Sequence, residues 1–205
     1  ADKFVFDKDR NTFSRSRCCL RLILADCLQC EPEEIEFSFN EHGRPEISSP
    51  TLNSFNFNLT HSGDMALIAV SRGRRVGIDL NYLGQARDWQ PIAKRSFSMA
   101  EQRALFLLPE TDREKVFYQI WGQKEAYTKA LGTGFSYGFQ NFTVIVDPGG
   151  ATGLLVEDKR PLAIGEWAIA CIDVGEQWVA ALAYDGLASH PSSPEIRQWE
   201  FGYDK

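Results

Sequence analysis

No stretch of the chain approaches the roughly 20 consecutive apolar residues that a membrane-crossing helix requires, so a soluble protein with no membrane partner is expected. A basic surplus is also lacking. The 22 Lys and Arg stand against 28 Asp and Glu, and a net charge of -6 argues against a general nucleic-acid binder. No segment spells GxxxxGK(S/T), and GTGFSYG misses the GxGxxG spacing and follows a helical pattern, so neither standard nucleotide-binding loop is expected. The five cysteines, at 18, 19, 27, 30 and 171, cannot all pair within one chain and suit reduced thiols. Cys27 and Cys30 have the spacing of a redox or zinc pair. No second CxxC or HxxxH completes a tetrahedral set, which leaves small apolar residues near a helix end as the simpler reading. The start, ADKFVFDKDR, lacks the basic-then-apolar layout of a signal peptide, and a cytoplasmic location is expected.

What is present is enough for a substantial core: 205 residues, 43% of them hydrophobic, with 14 Phe and 5 Trp. Within residues 11–30, Leu20, Ile23, Leu24 and Leu28 recur at spacings of three and four, which predicts an amphipathic helix. Ile35–Phe39 reads as a strand, followed by a turn at Glu41–Arg44. The segment SFNFNLTHSGDMALIAVSRGRRVGIDLNYL reads as three successive strands in an antiparallel meander. From about Asp88 to Leu131 the pattern is helical, with a break at Pro109 and an exit at Gly132 or Gly134. Strand-like segments return after that, and the tail from Ala188 reads as an exposed extension. Helix, strands, helices, strands is a repeated order. It predicts an α+β protein of two similar lobes, 1–88 and 89–205, acting as one unit.

Three places carry residues suited to chemistry. In VGIDL, alternation sends Val76, Ile78 and Leu80 to one face and Asp79 to the other, with Asn81 beside it. An aspartate there is equally a cap or turn former. In WGQKEAYTKALGTG, Phe117, Ile120, Trp121 and Leu131 form an apolar stripe, with Glu125 one turn before Lys129. An ordinary i,i+4 pair accounts for those two charges, at about 0.2–0.5 kcal/mol. It does not account for Gly122, which costs a helix interior about 1 kcal/mol relative to alanine. Something is expected to pack closely against the backbone there. In FNLTHSGD, His61 ends an apolar strand face beside Thr60, and a lone histidine in that place is more often structural. Together these side chains offer hard oxygen ligands for a divalent ion and cations for phosphate oxygens.

The order HGRPEI, FNLTHSGD, VGIDL, FSMAE, WGQKEAYTKALGTG, at these separations from about Arg21 to Gly134, resembles the Sfp-type 4'-phosphopantetheinyl transferases. Their motifs are a GKP turn, FN(I/L)SHSG, GIDIE, FSxxE and W(S/T)xKEAxxKxxGxG. The resemblance implies the α+β 4'-phosphopantetheinyl transferase fold, two similar α/β lobes related by pseudo-twofold symmetry, with coenzyme A and Mg2+ in the cleft between them. It implies transfer of the phosphopantetheine arm of coenzyme A to a serine of an acyl or peptidyl carrier protein, in polyketide, nonribosomal-peptide or fatty-acid synthesis, with release of 3',5'-ADP. Asp79, Asn81 and Glu125 would hold Mg2+. Glu125, Lys129 and His61 would serve catalysis. Arg44, Pro45, Thr60, His61, Lys124 and Lys129 would contact the coenzyme, with Lys124 either a phosphate contact or a structural cation. Lys94, Arg95 and Arg103, around FSMAE, are candidates to meet an acidic carrier helix. A monomer is implied, since one chain holds both lobes.

The chain departs from the pattern at Asn81, where the family has glutamate, and in having only Lys3, Lys8 and Arg10 as basic residues before the first helix. The competing readings are a non-catalytic binder of coenzyme A or carrier protein, and a metal-dependent nuclease or phosphohydrolase.

Overall fold

A computed structural model of the chain describes residues 7–48, 54–84, 88–147, 156–157 and 166–186. Helix α1 (Asp7–Leu28) buries Leu20, Ile23 and Leu24, because spacings of three and four place them on one side of a 3.6-residue helix. Leu20 and Leu24 share a core with Ile35, Ile47 and Phe57. A 3-10 turn at Pro32–Glu34 delays the next strand, so β1 (Phe37–Phe39) starts two residues later than the pattern suggested. It pairs with β2 (Pro45–Ile47) across the turn Asn40–Arg44.

Strands β3 (Phe55–Ser62) and β4 (Met65–Arg72) form an antiparallel hairpin around Gly63–Asp64. Gly63 has φ +59, and a Cβ there would stand 3.1 Å from the ring of Trp178. The expected meander stops here. Strand β5 (Val76–Tyr82) does not pair with β4. It joins β9 (Trp178–Asp185), whose other edge takes β8 (Trp167–Ile172), all antiparallel. The reason lies in burial: Val76 to Leu80 are buried on both strand faces, which an outlying third strand of a hairpin sheet would not achieve. Strand β5, counted with residues 1–88 in the sequence reading, thus hydrogen-bonds into residues 89–205.

Helices α2 (Trp89–Ser96) and α3 (Met99–Leu107) precede α4 (Glu110–Leu131), which has Pro109 as its N-cap. A capping box starts α3: Ser98 Oγ accepts from the Glu101 amide, and the Glu101 carboxylate accepts from the Ser98 amide. Helix α4 ends at Gly132, in the left-handed region at φ +77. It lies against β5 so closely that a Cβ on Gly77 would come within 2.4 Å of the Ala130 nitrogen, so glycine is required there. The short pair β6 (Phe142–Thr143) and β7 (Val156–Glu157) follows. The main core gathers Phe117, Ile120, Tyr127, Phe142 and Trp167 around α4. Each half therefore has a 22-residue helix and a sheet containing an eight-residue strand. The tail from Ala188 lies outside the described residues. Among the described residues no helix is long and apolar enough to cross a membrane.

Candidate active site

The end of β3, the middle of β5 and the last three turns of α4 meet at one cluster of polar side chains. Asp79, buried on β5, accepts from Lys129 Nζ through Oδ1 at 2.5 Å and from Asn81 Nδ2 through Oδ2 at 2.7 Å. Lys129 Nζ also reaches the carbonyl of Ile78 at 3.3 Å and Thr60 Oγ1 at 3.4 Å. Lys129 thus turns across to the strand rather than back to Glu125 on its own helix. Gly122 faces the same cluster: a Cβ there would lie 3.4 Å from Asn81 Nδ2 and 3.7 Å from Asp79 Oδ2, ordinary contact distances that leave room for a methyl group.

Glu125 is half-buried, and among the described residues its carboxylate makes no hydrogen bond or ion pair. Burial pushes its pKa up to about 7; Lys129 opposes the rise and the Asp79 charge adds to it. The rise therefore comes from burial, since the lysine's attraction outweighs the aspartate's repulsion. Two carboxylates and an amide oxygen are the hard donors Mg2+ takes, so the residues present fit that ion. Among the described residues no three His, Cys, Asp or Glu side chains form a metal-binding group, and the third donor beside Asp79 and Glu125 is the amide of Asn81.

The other expected site residues sit differently. His61 is exposed at the end of β3, one residue past Thr60. Arg44 and Pro45 line an open cavity of about 480 Å3 with Glu46, Phe55 and Asn56. Lys124 takes the structural one of its two expected roles: its ammonium is fully buried, 2.8 Å from Glu101 Oε1, and donates to the carbonyls of Phe139 at 2.8 Å and Phe142 at 2.6 Å. No surface remains through which it could meet a coenzyme phosphate. Arg44 also points inward, onto main-chain carbonyls.

Two contributors escaped the sequence reading. Asn58 accepts the Ile78 amide at 2.8 Å through Oδ1 and so fixes β3 beside β5; an asparagine inside an alternating strand was its signal. Trp178 packs at a tilt against Tyr82, with ring centroids 4.8 Å apart, and lies under Gly63, supporting the turn after His61. Glu101 was seen as part of FSMAE, but not as the buried partner of Lys124.

Comparison with known proteins identifies the family. Residues 75–183 match the family model described as the 4'-phosphopantetheinyl transferase superfamily, and residues 1–73 match one described as 4'-phosphopantetheinyl transferase, N-terminal. The 4'-phosphopantetheinyl transferase HetI of Nostoc sp. is 32% identical over 192 residues, covering 93% of this chain and 78% of its own. The 4'-phosphopantetheinyl transferase psf-1 of Bacillus pumilus is 31% identical over 170 residues, covering 82% and 71%. Among solved structures, a holo-(acyl-carrier-protein) synthase of Bacillus anthracis in complex with CoA is 21% identical, with a TM-score of 0.43, and covers 54% of this chain and 93% of its own. With family models matching residues 1–73 and 75–183 and a relative 32% identical across 93% of the chain, the chain belongs to the 4'-phosphopantetheinyl transferase superfamily.

Proposed function

We propose that the chain transfers the 4'-phosphopantetheine arm of coenzyme A to a serine hydroxyl of an apo carrier protein, releasing 3',5'-ADP. The observation that carries this reading is the meeting of Asp79, Lys129 and Thr60 beside an unpartnered Glu125. In this reading Glu125 accepts the proton of the carrier serine. The serine oxygen then attacks the phosphorus nearest the pantetheine arm, and the bond from that phosphorus to the bridging oxygen breaks. Lys129 offsets the charge that grows on the departing 3',5'-ADP. Thr60 holds the lysine in place through its hydroxyl. Asp79, Asn81 and Glu125 would hold Mg2+, which when bound would supply positive charge to neutralise phosphate oxygens. The cavity beside Pro45 and the exposed His61 suit the nucleotide end of the coenzyme.

The carrier is assigned to α2 and α3. Met99 and Leu107 are 66% and 86% exposed there, with Lys94, Arg95 and Arg103 exposed around them. Exposed apolar side chains with exposed cations close by in sequence suit an amphipathic acidic helix.

The test is the intact mass of an apo carrier protein incubated with the chain, coenzyme A and Mg2+, beside Glu125→Gln. Gain of one phosphopantetheine with the wild type alone supports the reading. Free phosphopantetheine without carrier modification would make the protein a hydrolase. Tight coenzyme A binding without either product would make it the non-catalytic binder.

A further inference from the structure

The two terminal nitrogens of Arg44 make four hydrogen bonds, and every acceptor is a main-chain carbonyl. Nη1 donates to Lys129 at 2.7 Å and Ala130 at 2.9 Å, and Nη2 to Val76 at 3.1 Å and Phe57 at 3.3 Å. A guanidinium has five N–H groups, and the fifth, on Nε, is buried without a partner. None remains to donate to an anion arriving from solvent. Burial also pulls the arginine's pKa down, with Glu46 opposing and Arg75 adding, as befits a cation set among neutral carbonyls.

The acceptors are not scattered. Lys129 is itself the ammonium-bearing residue of the site; Phe57 lies three residues before Thr60 on β3, and Val76 three before Asp79 on β5. The Lys129 and Ala130 carbonyls belong to the last turn of α4, where a helix lacks internal donors and carries partial negative charge. The turn that delivers Arg44 is itself fastened to this helix end: Asn40 Nδ2 donates to the Gly132 carbonyl at 3.2 Å, while Asn40 Oδ1 accepts the Arg44 amide at 2.9 Å.

We propose that Arg44 is a positioning residue, which ties α4, β3 and β5 at one point and so fixes Lys129 relative to Asp79 and Thr60, rather than a contact to the coenzyme's phosphates. The kinetic side of this inference rests on the transferase reading above; the structural side does not. Lysine cannot stand in for arginine here, because three donors on one nitrogen do not form a fork spanning four carbonyls.

Arg44→Lys keeps the charge and removes the fork, while Asn40→Ala keeps the guanidinium and loosens the turn that aims it. A misplacement of the site by a fraction of an ångström is expected to lower kcat about tenfold or more in Arg44→Lys, and in the same sense but less in Asn40→Ala. The Kd for coenzyme A, titrated calorimetrically, is expected to stay within about twofold in both. Rescue of transfer by the lysine, or a Kd weakened in step with kcat/KM, overturns the proposal. Should Arg44→Lys fail to fold, the kcat-against-Kd split in Asn40→Ala decides alone. Amide hydrogen exchange requires no substrate: residues 128–133 and 76–79 are expected to exchange about tenfold faster in either variant while residues 20–25 of α1 hold their rate. Unchanged exchange at those residues also overturns it. If the wild type modifies no carrier, the transferase reading fails, and the exchange result still decides the role of Arg44.

Discussion

Replacing Lys124 with methionine removes the cation from a carboxylate that has no access to water. Glu101 would keep the amide hydrogen bonds from Ser98 at 2.8 Å and Val144 at 2.7 Å but lose the ammonium at 2.8 Å. The Phe139 and Phe142 carbonyls would lose their charged donor as well. Breaking one side of a buried pair costs about 3–5 kcal/mol. For a chain of this size each kcal/mol moves Tm by about 2–4 °C, so a fall of roughly 10 °C is expected in a thermal melt. The double variant Lys124→Met with Glu101→Gln should regain a large part of that loss, since no charge is then stranded. A Lys124→Met melt within about 2 °C of wild type would refute the reasoning. So would a variant of unchanged stability whose coenzyme A affinity falls, because that would make Lys124 a ligand contact after all.

Three further outcomes are expected. A raised carboxyl pKa means the folded chain holds the Glu125 proton more tightly than the unfolded chain does. The corresponding stability is present below the ordinary glutamate value near 4.3 and lost as pH rises through about 7. Glu125→Gln should therefore raise Tm at pH 8 but not near pH 4, and added Mg2+ should stabilise the wild type at pH 8 and the variant much less; equal melts at pH 8 would contradict this. Asn81→Glu completes a third carboxylate and should tighten Mg2+ binding measured by titration, and an unchanged affinity would remove Asn81 from the metal site. Gly77→Ala drives a methyl group into the α4 backbone and should cost about 3 kcal/mol in a denaturant melt, against a near-neutral change if the helix can retreat.

Local chemistry in this chain was legible where a residue's reason lay within its own neighbourhood. Gly122 was out of place in a helix, and the structure puts Asp79 and Asn81 beside it. Ser98 and Glu101, three apart, form the capping box that such spacing favours, a local signal that went unread in FSMAE. The partner of β5 was not legible, because β9 lies about 100 residues further on and nothing in VGIDL names it. Periodicity also failed on α4. That helix is buried around most of its circumference, so apolar spacing could not tell whether Lys124 faced the site or the core. Arg44 sat in the expected turn, but a turn residue's direction depends on what packs behind it, and here that is the end of a helix 85 residues later.

Strands β3 and β5 lie side by side at the site, yet no backbone ladder joins them among the described residues. Side chains bridge them instead: Asn58 on the Ile78 amide, Arg44 on the Phe57 and Val76 carbonyls, and Lys129 between Thr60 and Asp79. Stiffness within each sheet and stiffness across the site are therefore set by separate residues. A change at 58 or 44 would alter the angle at which β3 and β5 present their groups to one another while leaving both sheets intact, so the spacing of the site can be tuned without cost to either ladder.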